Sequence, residues 1–132
     1  MADKPATKAK CRTLIVEDDV GAARALEKLI SREGHDVMTA GTLGDALGAL
    51  SWKPHCIILD LILPDGNGVT VLRRVRKSGM DARIAIITGM EDPFAIDQVT
   101  DLQPDVVFEK PLDGQRLVEW LRSKRRSPRK AT

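Results

Sequence analysis

The sequence has few of the residue types that mark several protein classes. In 132 residues it contains two cysteines, two histidines, two phenylalanines, two tryptophans and no tyrosine. Cys11 and Cys56 stand alone, so they form neither a disulfide framework nor the paired spacing of a zinc or redox motif. Cys56 lies in an apolar run and is predicted to be an inert buried thiol. The aromatic residues form no series on which nucleic-acid bases could stack.

Long apolar runs are also missing from the sequence. No segment approaches the ~20 consecutive apolar residues that cross a bilayer, and residues 1–5 lack the apolar block of a secretory signal. We therefore expect a cytoplasmic protein that makes no membrane contact. The length and the uniform composition of the body fit one domain with a single core, at residues 12–123.

The net charge of +2 is distributed unevenly along the sequence. Residues 1–12 carry +3 and residues 121–132 carry +6, so the part between them carries −7. An acidic body suits a metal cation better than a phosphate backbone. We expect residues 1–11 to be a flexible basic tail, and residues 124–132 a second basic tail or a linker remnant, either solvated or touching nucleic acid or an acidic protein surface. Since no helix-turn-helix pattern follows Ser123, nucleic-acid binding is not expected of the domain itself.

Short apolar runs alternate with longer segments of helical period, a pattern typical of βα repeats around a parallel sheet. Five such units are predicted, with strands at 13–16, 36–39, 56–60, 83–88 and 105–108, and helices at 20–32, 46–50, 69–77, about 93–101 and about 112–123. Asp19 is placed to cap the first helix and Gly34 to end it. Thr42 and Asp45 resemble a capping box before the second helix. The predicted fold class is α/β with a doubly wound, five-stranded parallel sheet.

Polar residues end or follow four of the predicted strands. They are Glu17, Asp18 and Asp19 after the first strand, Asp60 at the end of the third, Thr88 at the end of the fourth and Lys110 after the fifth. Right-handed crossovers bring these strand ends to one edge of the sheet, where such folds bind ligands. Each residue alone is explained more simply as a turn residue, a helix cap or a surface lysine. Their shared edge favours a single functional site.

The residue types in this group suit phosphoryl chemistry. Clustered carboxylates repel one another, and a divalent cation relieves the repulsion; Mg²⁺ favours one or two carboxylates together with water and phosphate oxygens, and Mn²⁺ is the alternative ion. Asp60 ends a wholly apolar run and is the candidate nucleophile, which would form an aspartyl phosphate. Lys110 would offset charge on the phosphoryl oxygens, and Thr88 would hydrogen-bond the phosphoryl group.

At this point the sequence resembles the receiver domain of two-component response regulators, over about residues 12–123. Glu17 and Asp18 are similar to the family's acidic pair. The resemblance implies that Asp18 is a direct metal ligand and that Glu17 is a ligand mainly through water. It implies that Asp60 is the phosphoacceptor and a ligand, and that the backbone carbonyl of Ile62 is a further ligand.

The resemblance extends to the remaining site residues and to the topology. It implies that Thr88 is the switch hydroxyl and Lys110 the lysine of the phosphoryl site, with a cis peptide at Pro111. Pro64 and Gly68 fall where the family's loop has proline and glycine. The implied fold is flavodoxin-like, with strand order 2-1-3-4-5.

Three positions modify what the resemblance implies. Val107 stands where the family usually has a switch aromatic, so we expect a muted or unconventional output change, carried by Phe108 or by loop movement. The residues two places beyond Asp60 and Thr88 are Ile62 and Met90, which are apolar and cannot orient water. Slow self-dephosphorylation is therefore expected.

The leading hypothesis is a phosphoacceptor module of a two-component phosphorelay, a signalling domain rather than an enzyme. It would receive its phosphoryl group from a histidine kinase or a histidine phosphotransfer protein. It would bind an output protein or domain through the fourth predicted helix, the fifth strand and the fifth helix. One alternative is a degenerate receiver that serves only as a protein-binding scaffold. Another is an aspartyl-phosphate phosphohydrolase, which Ile62 disfavours because it replaces the required acid.

Overall fold

The computed structural model describes residues 10–89 and 102–123. Predictions for both tails beyond these residues, for Met90 and for the helix at 93–101 lie outside the described residues. Within them, no helix is long and apolar enough to cross a membrane.

A five-stranded parallel sheet forms the centre of the fold. Its strands are β1 (Arg12–Val16), β2 (Asp36–Ala40), β3 (Cys56–Asp60), β4 (Arg83–Thr88) and β5 (Val106–Glu109). Their order across the sheet is β2-β1-β3-β4-β5, and every neighbouring pair is parallel. The predicted order is confirmed, and each predicted strand end is correct to within one residue.

Besides a short 3-10 helix at Leu50–Trp52, four α-helices cover the sheet within the described residues. They are α1 (Val20–Arg32), α2 (Leu43–Ala49), α3 (Val69–Ser78) and the helix Gly114–Arg122. Asp19 caps α1 as predicted, because its carboxylate accepts from the Gly21 amide at 3.3 Å. Thr42 caps α2 as predicted, because its hydroxyl oxygen accepts from the Asp45 amide at 3.0 Å, and the helix begins at Leu43 rather than at Ala46.

Two apolar layers hold the helices on opposite faces of the sheet. One layer contains Leu14, Ile57 and residues of α2 and α3, and the other contains Ile15, Ile58 and residues of α1 and the helix Gly114–Arg122. All five residues of β3 are buried, since both of its faces are covered. Each fully buried leucine or isoleucine contributes about 1.5–3 kcal/mol to folding. The uninterrupted apolar run before Asp60 is therefore a consequence of its central position.

The chain after β3 turns back on itself. Ile62–Leu63 pairs antiparallel with Gly66–Asn67, which forms a small hairpin that the sequence did not predict. The Gly68 amide donates to the Leu61 carbonyl at 2.7 Å, which closes the turn. A Cβ on Gly68 would clash with the Asp60 carbonyl oxygen, so only glycine allows this close approach. The fold thereby places a compact loop directly beside Asp60.

Candidate functional site

Asp60 lies at the carboxyl end of β3, and both of its carboxylate oxygens are engaged. Its side chain is 4% exposed. Oδ1 accepts from the Ile62 amide at 3.1 Å, and Oδ2 accepts from the Lys110 ammonium at 2.9 Å. Because a buried carboxylate is costly without partners, these contacts account for its position. They also fix the orientation of the carboxylate.

Glu17 and Asp18 follow β1 and lie beside Asp60. One carboxylate oxygen from each of the three residues lies within 4.8 Å of the other two. Glu17 is buried and accepts from the Asp19 amide at 3.0 Å. Burial, and the nearby Asp60 charge after it, raise the pKa of Glu17, against the lowering effect of the Asp19 amide. Asp19 belongs to the α1 cap and lies outside the cluster.

The three clustered carboxylates fit a hard divalent cation. Mg²⁺ and Mn²⁺ take oxygen ligands, and one exposed carboxylate beside two buried ones leaves room for water and a phosphate oxygen. The density of negative charge in the cluster is high, because among the described residues only the Lys110 ammonium is seen to form an ion pair with it. A cation would therefore relieve the repulsion among these carboxylates, which adds to the larger effect of burial in raising the pKa of Glu17.

Thr88 and Lys110 are joined through their backbones. Thr88 ends β4 with 4% exposure, and its hydroxyl donates to the Gly89 carbonyl at 3.0 Å. Its own carbonyl accepts from the Lys110 amide at 2.9 Å. The Lys110–Pro111 peptide bond is cis, which confirms that expectation. Both side chains thus lie at the same sheet edge as Asp60.

Two of the positions expected to tune the site, Ile62 and Val107, have exposed side chains. Ile62 is 53% exposed, so its apolar side chain is largely in contact with solvent. Val107 is 44% exposed on β5, whereas Phe108 is partly buried and packs with the layer that contains α1. Met90 lies outside the described residues. The ligand role of the Ile62 carbonyl stays a prediction.

Two polar contacts were missed by the sequence interpretation. Asp65, which the sequence singled out for no role, accepts from the Leu43 and Gly44 amides. Thr13 is fully buried, and its hydroxyl lies 2.6 Å from His35 Nδ1. Neither pair is close in sequence, so no local pattern could have found it. The isolated threonine at the start of an apolar strand was the one available signal for the second contact.

The arrangement matches a known family of domains. Residues 13–122 match the model of the response regulator receiver domain. The chain belongs to that family. Receiver domains are signalling domains of the response regulators in two-component systems. The resemblance inferred from the sequence is therefore confirmed, as is the flavodoxin-like α/β fold.

Similar proteins support the same family. The receiver domain is 37% identical over 119 residues to the response regulator ArlR of Staphylococcus aureus, which covers 89% of this chain and 54% of ArlR. It is 36% identical over 123 residues to the transcriptional regulatory protein AfsQ1 of Streptomyces coelicolor, which covers 90% of this chain and 53% of AfsQ1. The receiver domain thus spans about half the length of these curated relatives.

A solved structure supports the fold. The receiver domain protein (CheY-like) of Methanospirillum hungatei JF-1 matches with a TM-score of 0.80 over 86% of this chain and 91% of that one. At 24% sequence identity, this likeness concerns the fold alone.

Proposed function

We propose that this receiver domain is the phosphoacceptor of a two-component phosphorelay, with Asp60 as the acceptor. The observation that carries the proposal is a buried carboxylate that has an ammonium at 2.9 Å and two further carboxylates within 4.8 Å. Lysine and acidic residues around one aspartate supply a nucleophile and the means to balance charge on a phosphoryl group. The donor is a phosphohistidine on a histidine kinase or a histidine phosphotransfer protein.

The transfer exchanges one bond of phosphorus for another. An Asp60 oxygen forms a bond to phosphorus while the bond from phosphorus to the donor's imidazole nitrogen breaks, and the imidazole keeps the electron pair. The contacts from the Ile62 amide and the Lys110 ammonium orient the carboxylate before the reaction. Lys110 then offsets charge on the phosphoryl oxygens, and the Thr88 hydroxyl turns from Gly89 to donate to one of them.

The acidic residues supply the cation site. Glu17, Asp18, Asp60 and the Ile62 carbonyl would hold Mg²⁺, or Mn²⁺ in its place. When bound, the cation supplies positive charge that offsets charge developing on the phosphoryl oxygens. Among the chain's own groups, Asp18 is exposed and accessible to an incoming ion, whereas Glu17 is buried and fixed by the Asp19 amide.

The output surface is proposed at β5, the helix Gly114–Arg122 and the segment 93–101. Val107 and Phe108 of β5, with Arg116 of the helix, line a groove of about 600 Å³ that also reaches Thr88 and Lys110. An output protein or domain bound there would contact residues that adjoin the phosphoryl site. Phosphorylation of Asp60 would then alter the affinity of this surface for its partner.

Intact-mass measurement tests the phosphoacceptor role. The protein is incubated with Mg²⁺ and a small-molecule phosphodonor, as wild type, Asp60→Asn and Asp19→Asn. Asp19→Asn is the matched control, because it makes the same change at an exposed cap outside the cluster. We expect one phosphoryl adduct on the wild type and on Asp19→Asn, and none on Asp60→Asn. An equal adduct on Asp60→Asn, or none on the wild type, would overturn the proposal.

A further inference from the structure

The tip of the hairpin after β3 is fastened to the start of α2. Asp65 Oδ1 accepts from the Leu43 amide at 2.6 Å, and Oδ2 accepts from the Gly44 amide at 3.0 Å. Thr42 Oγ1 accepts from the next amide, that of Asp45, at 3.0 Å. The first amides of a helix have no partner inside the helix. Here a residue more than twenty positions away satisfies two of them.

Apolar packing reinforces the same contact. A Cβ on Gly66 would lie 2.7 Å from Leu43 Cδ2, so the leucine side chain fills the space over the hairpin. The Gly44 and Leu43 amides hold the pKa of the Asp65 carboxyl below its usual range. The charged carboxylate is therefore present throughout the neutral pH range.

The fastened hairpin contains the backbone that contacts Asp60. The Ile62 amide donates to Asp60 Oδ1, and the hairpin closes at the bond from the Gly68 amide to the Leu61 carbonyl. If the tip moves away from α2, the Ile62 amide and carbonyl move with it. Asp65 thus belongs to the same short segment as the Ile62 amide that contacts Asp60.

The turn before α2 adjoins the acidic pair on its other side. The Glu17 amide donates to the Ala40 carbonyl at 2.9 Å. A Cβ on Gly41 would lie 3.9 Å from the Asp18 Cα. The start of α2 thus lies close both to the hairpin, through Asp65, and to the residues that follow β1.

We propose that Asp65 is a positioning residue of the cation and phosphoryl site, which it acts on by holding the hairpin against α2. The assignment of residues as cation ligands depends on the proposed function, whereas the contact between Asp65 and the start of α2 does not. The simpler role is a helix cap that stabilises α2 and has no effect on the site. The two roles differ in their consequences for the Ile62 backbone and for cation affinity.

Asp65→Ala and Asp65→Asn test the inference, with Asp45→Asn as the matched control. Asp45 is exposed in the first turn of α2, so its substitution removes the same charge near the same helix end and leaves the hairpin contact intact. Amide hydrogen exchange of Ile62 and Gly68 reports the hairpin without any ligand. Calorimetric titration with Mg²⁺ reports the cation site.

In Asp65→Ala we expect faster exchange at Ile62 and Gly68, and about tenfold weaker Mg²⁺ binding, the usual size of effect when a group that orients a ligand is removed. Asp65→Asn keeps one acceptor oxygen, so its exchange rates and its Mg²⁺ affinity should lie between those of Asp65→Ala and those of the wild type. In Asp65→Ala the rate of phosphoryl uptake should be below that of the wild type at low Mg²⁺ and should return to it at saturating Mg²⁺, because Asp65 acts by positioning the groups that bind the cation.

Two results would overturn the inference. One is exchange at Ile62 and Gly68 in Asp65→Ala that equals exchange in Asp45→Asn. The other is an Mg²⁺ affinity that is equal in the two variants while the wild type binds the ion. A wild type that takes up neither Mg²⁺ nor a phosphoryl group would refute the proposed function instead, and the exchange data would still report whether Asp65 holds the hairpin.

Discussion

The Lys110 ammonium lies 2.9 Å from Asp60 Oδ2, although the two residues are 50 positions apart. Asp60 ends β3 and Lys110 follows β5, and these strands are not neighbours, because β4 lies between them. The lysine side chain therefore crosses the carboxyl end of β4, where Thr88 stands. It is 43% exposed, whereas the aspartate is 4% exposed, so the ammonium remains accessible from solvent. This contact defines the side of the site at which a phosphoryl group would meet positive charge.

Lys110→Met should separate cation binding from phosphoryl uptake. Loss of the ammonium leaves Glu17, Asp18 and Asp60 with less positive charge nearby, so Mg²⁺ should bind about three- to tenfold more tightly. Phosphoryl uptake at saturating Mg²⁺ should nevertheless fall about 100-fold, because one charged donor to the transition state is missing. Calorimetry and an intact-mass time course measure the two effects. Lys110→Arg keeps the charge, and its Mg²⁺ affinity should stay near that of the wild type; unchanged uptake in Lys110→Met would contradict the assigned role.

Ile62→Asn should shorten the lifetime of the phosphorylated state. The wild-type side chain is exposed and apolar beside Asp60, so it cannot orient an attacking water. An amide at this position should speed hydrolysis about tenfold, below the full effect of a positioned general base. Decay of the phosphoryl adduct after removal of the donor measures the lifetime. Val20→Asn alters another exposed apolar residue and serves as control, and equal decay in both variants would refute the prediction.

Gly68→Ala should destabilise the fold by about 2 kcal/mol or more, since its Cβ would meet the Asp60 carbonyl and the hairpin would have to shift. Gly48→Ala is the matched control in α2, where a Cβ meets nothing within 4 Å. It should stabilise the protein by about 0.5–1 kcal/mol. Urea denaturation of both variants gives the comparison. Equal free energies of unfolding for the two would show that the close approach is absent.

Stability should depend on pH through His35. Burial lowers the pKa of His35 in the folded protein, and the nearby Glu33 only partly opposes this. Below the unfolded value of about 6.5, the unfolded chain takes up a proton that the folded chain does not, so stability falls as pH falls towards the folded pKa. Urea denaturation at pH 7.5 and 5.5 should show a larger loss for the wild type than for His35→Gln. The raised pKa of Glu17 contributes a change in stability with pH of the opposite sign, and this contribution cancels in the comparison because Glu17 is present in both proteins. An equal loss of stability in both proteins would contradict the prediction.

The response to phosphorylation should be small near β5. Val107 is a short side chain that is already partly exposed, so it has no large ring to move between buried and exposed positions. Backbone NMR shifts of the unphosphorylated and phosphorylated protein should differ mainly near Asp60, Thr88 and Lys110. Large shifts throughout residues 89–112 would be incompatible with a muted output change.

Much of the fold could be predicted because it depends on short-range patterns. Strands covered on both faces are apolar along most of their length, and this pattern predicted the bounds of β3 and β4 to the residue. The start of α1 was predicted from Asp19, whose side chain bonds an amide two residues away. The Thr42 cap of α2 was predicted in the same way, whereas the bonds from the first amides of this helix to Asp65 were not, because Asp65 lies in another part of the chain.

The sequence by itself determined which residues reach the functional edge. A parallel α/β pattern sends every strand end to one side, so Glu17, Asp18, Asp60, Thr88 and Lys110 could be grouped before any distance was known. Only the tertiary structure decided how they and their neighbours meet: that Lys110 reaches past β4 to Asp60, that Asp65 holds the hairpin to α2, and that Thr13 faces His35. These contacts depend on strand register and loop path, which arise when the whole core packs. The local sequence indicates the alternation of strands and helices and the helix caps, which involve residues close together in the chain. It gives no information about the distances between residues far apart in the chain.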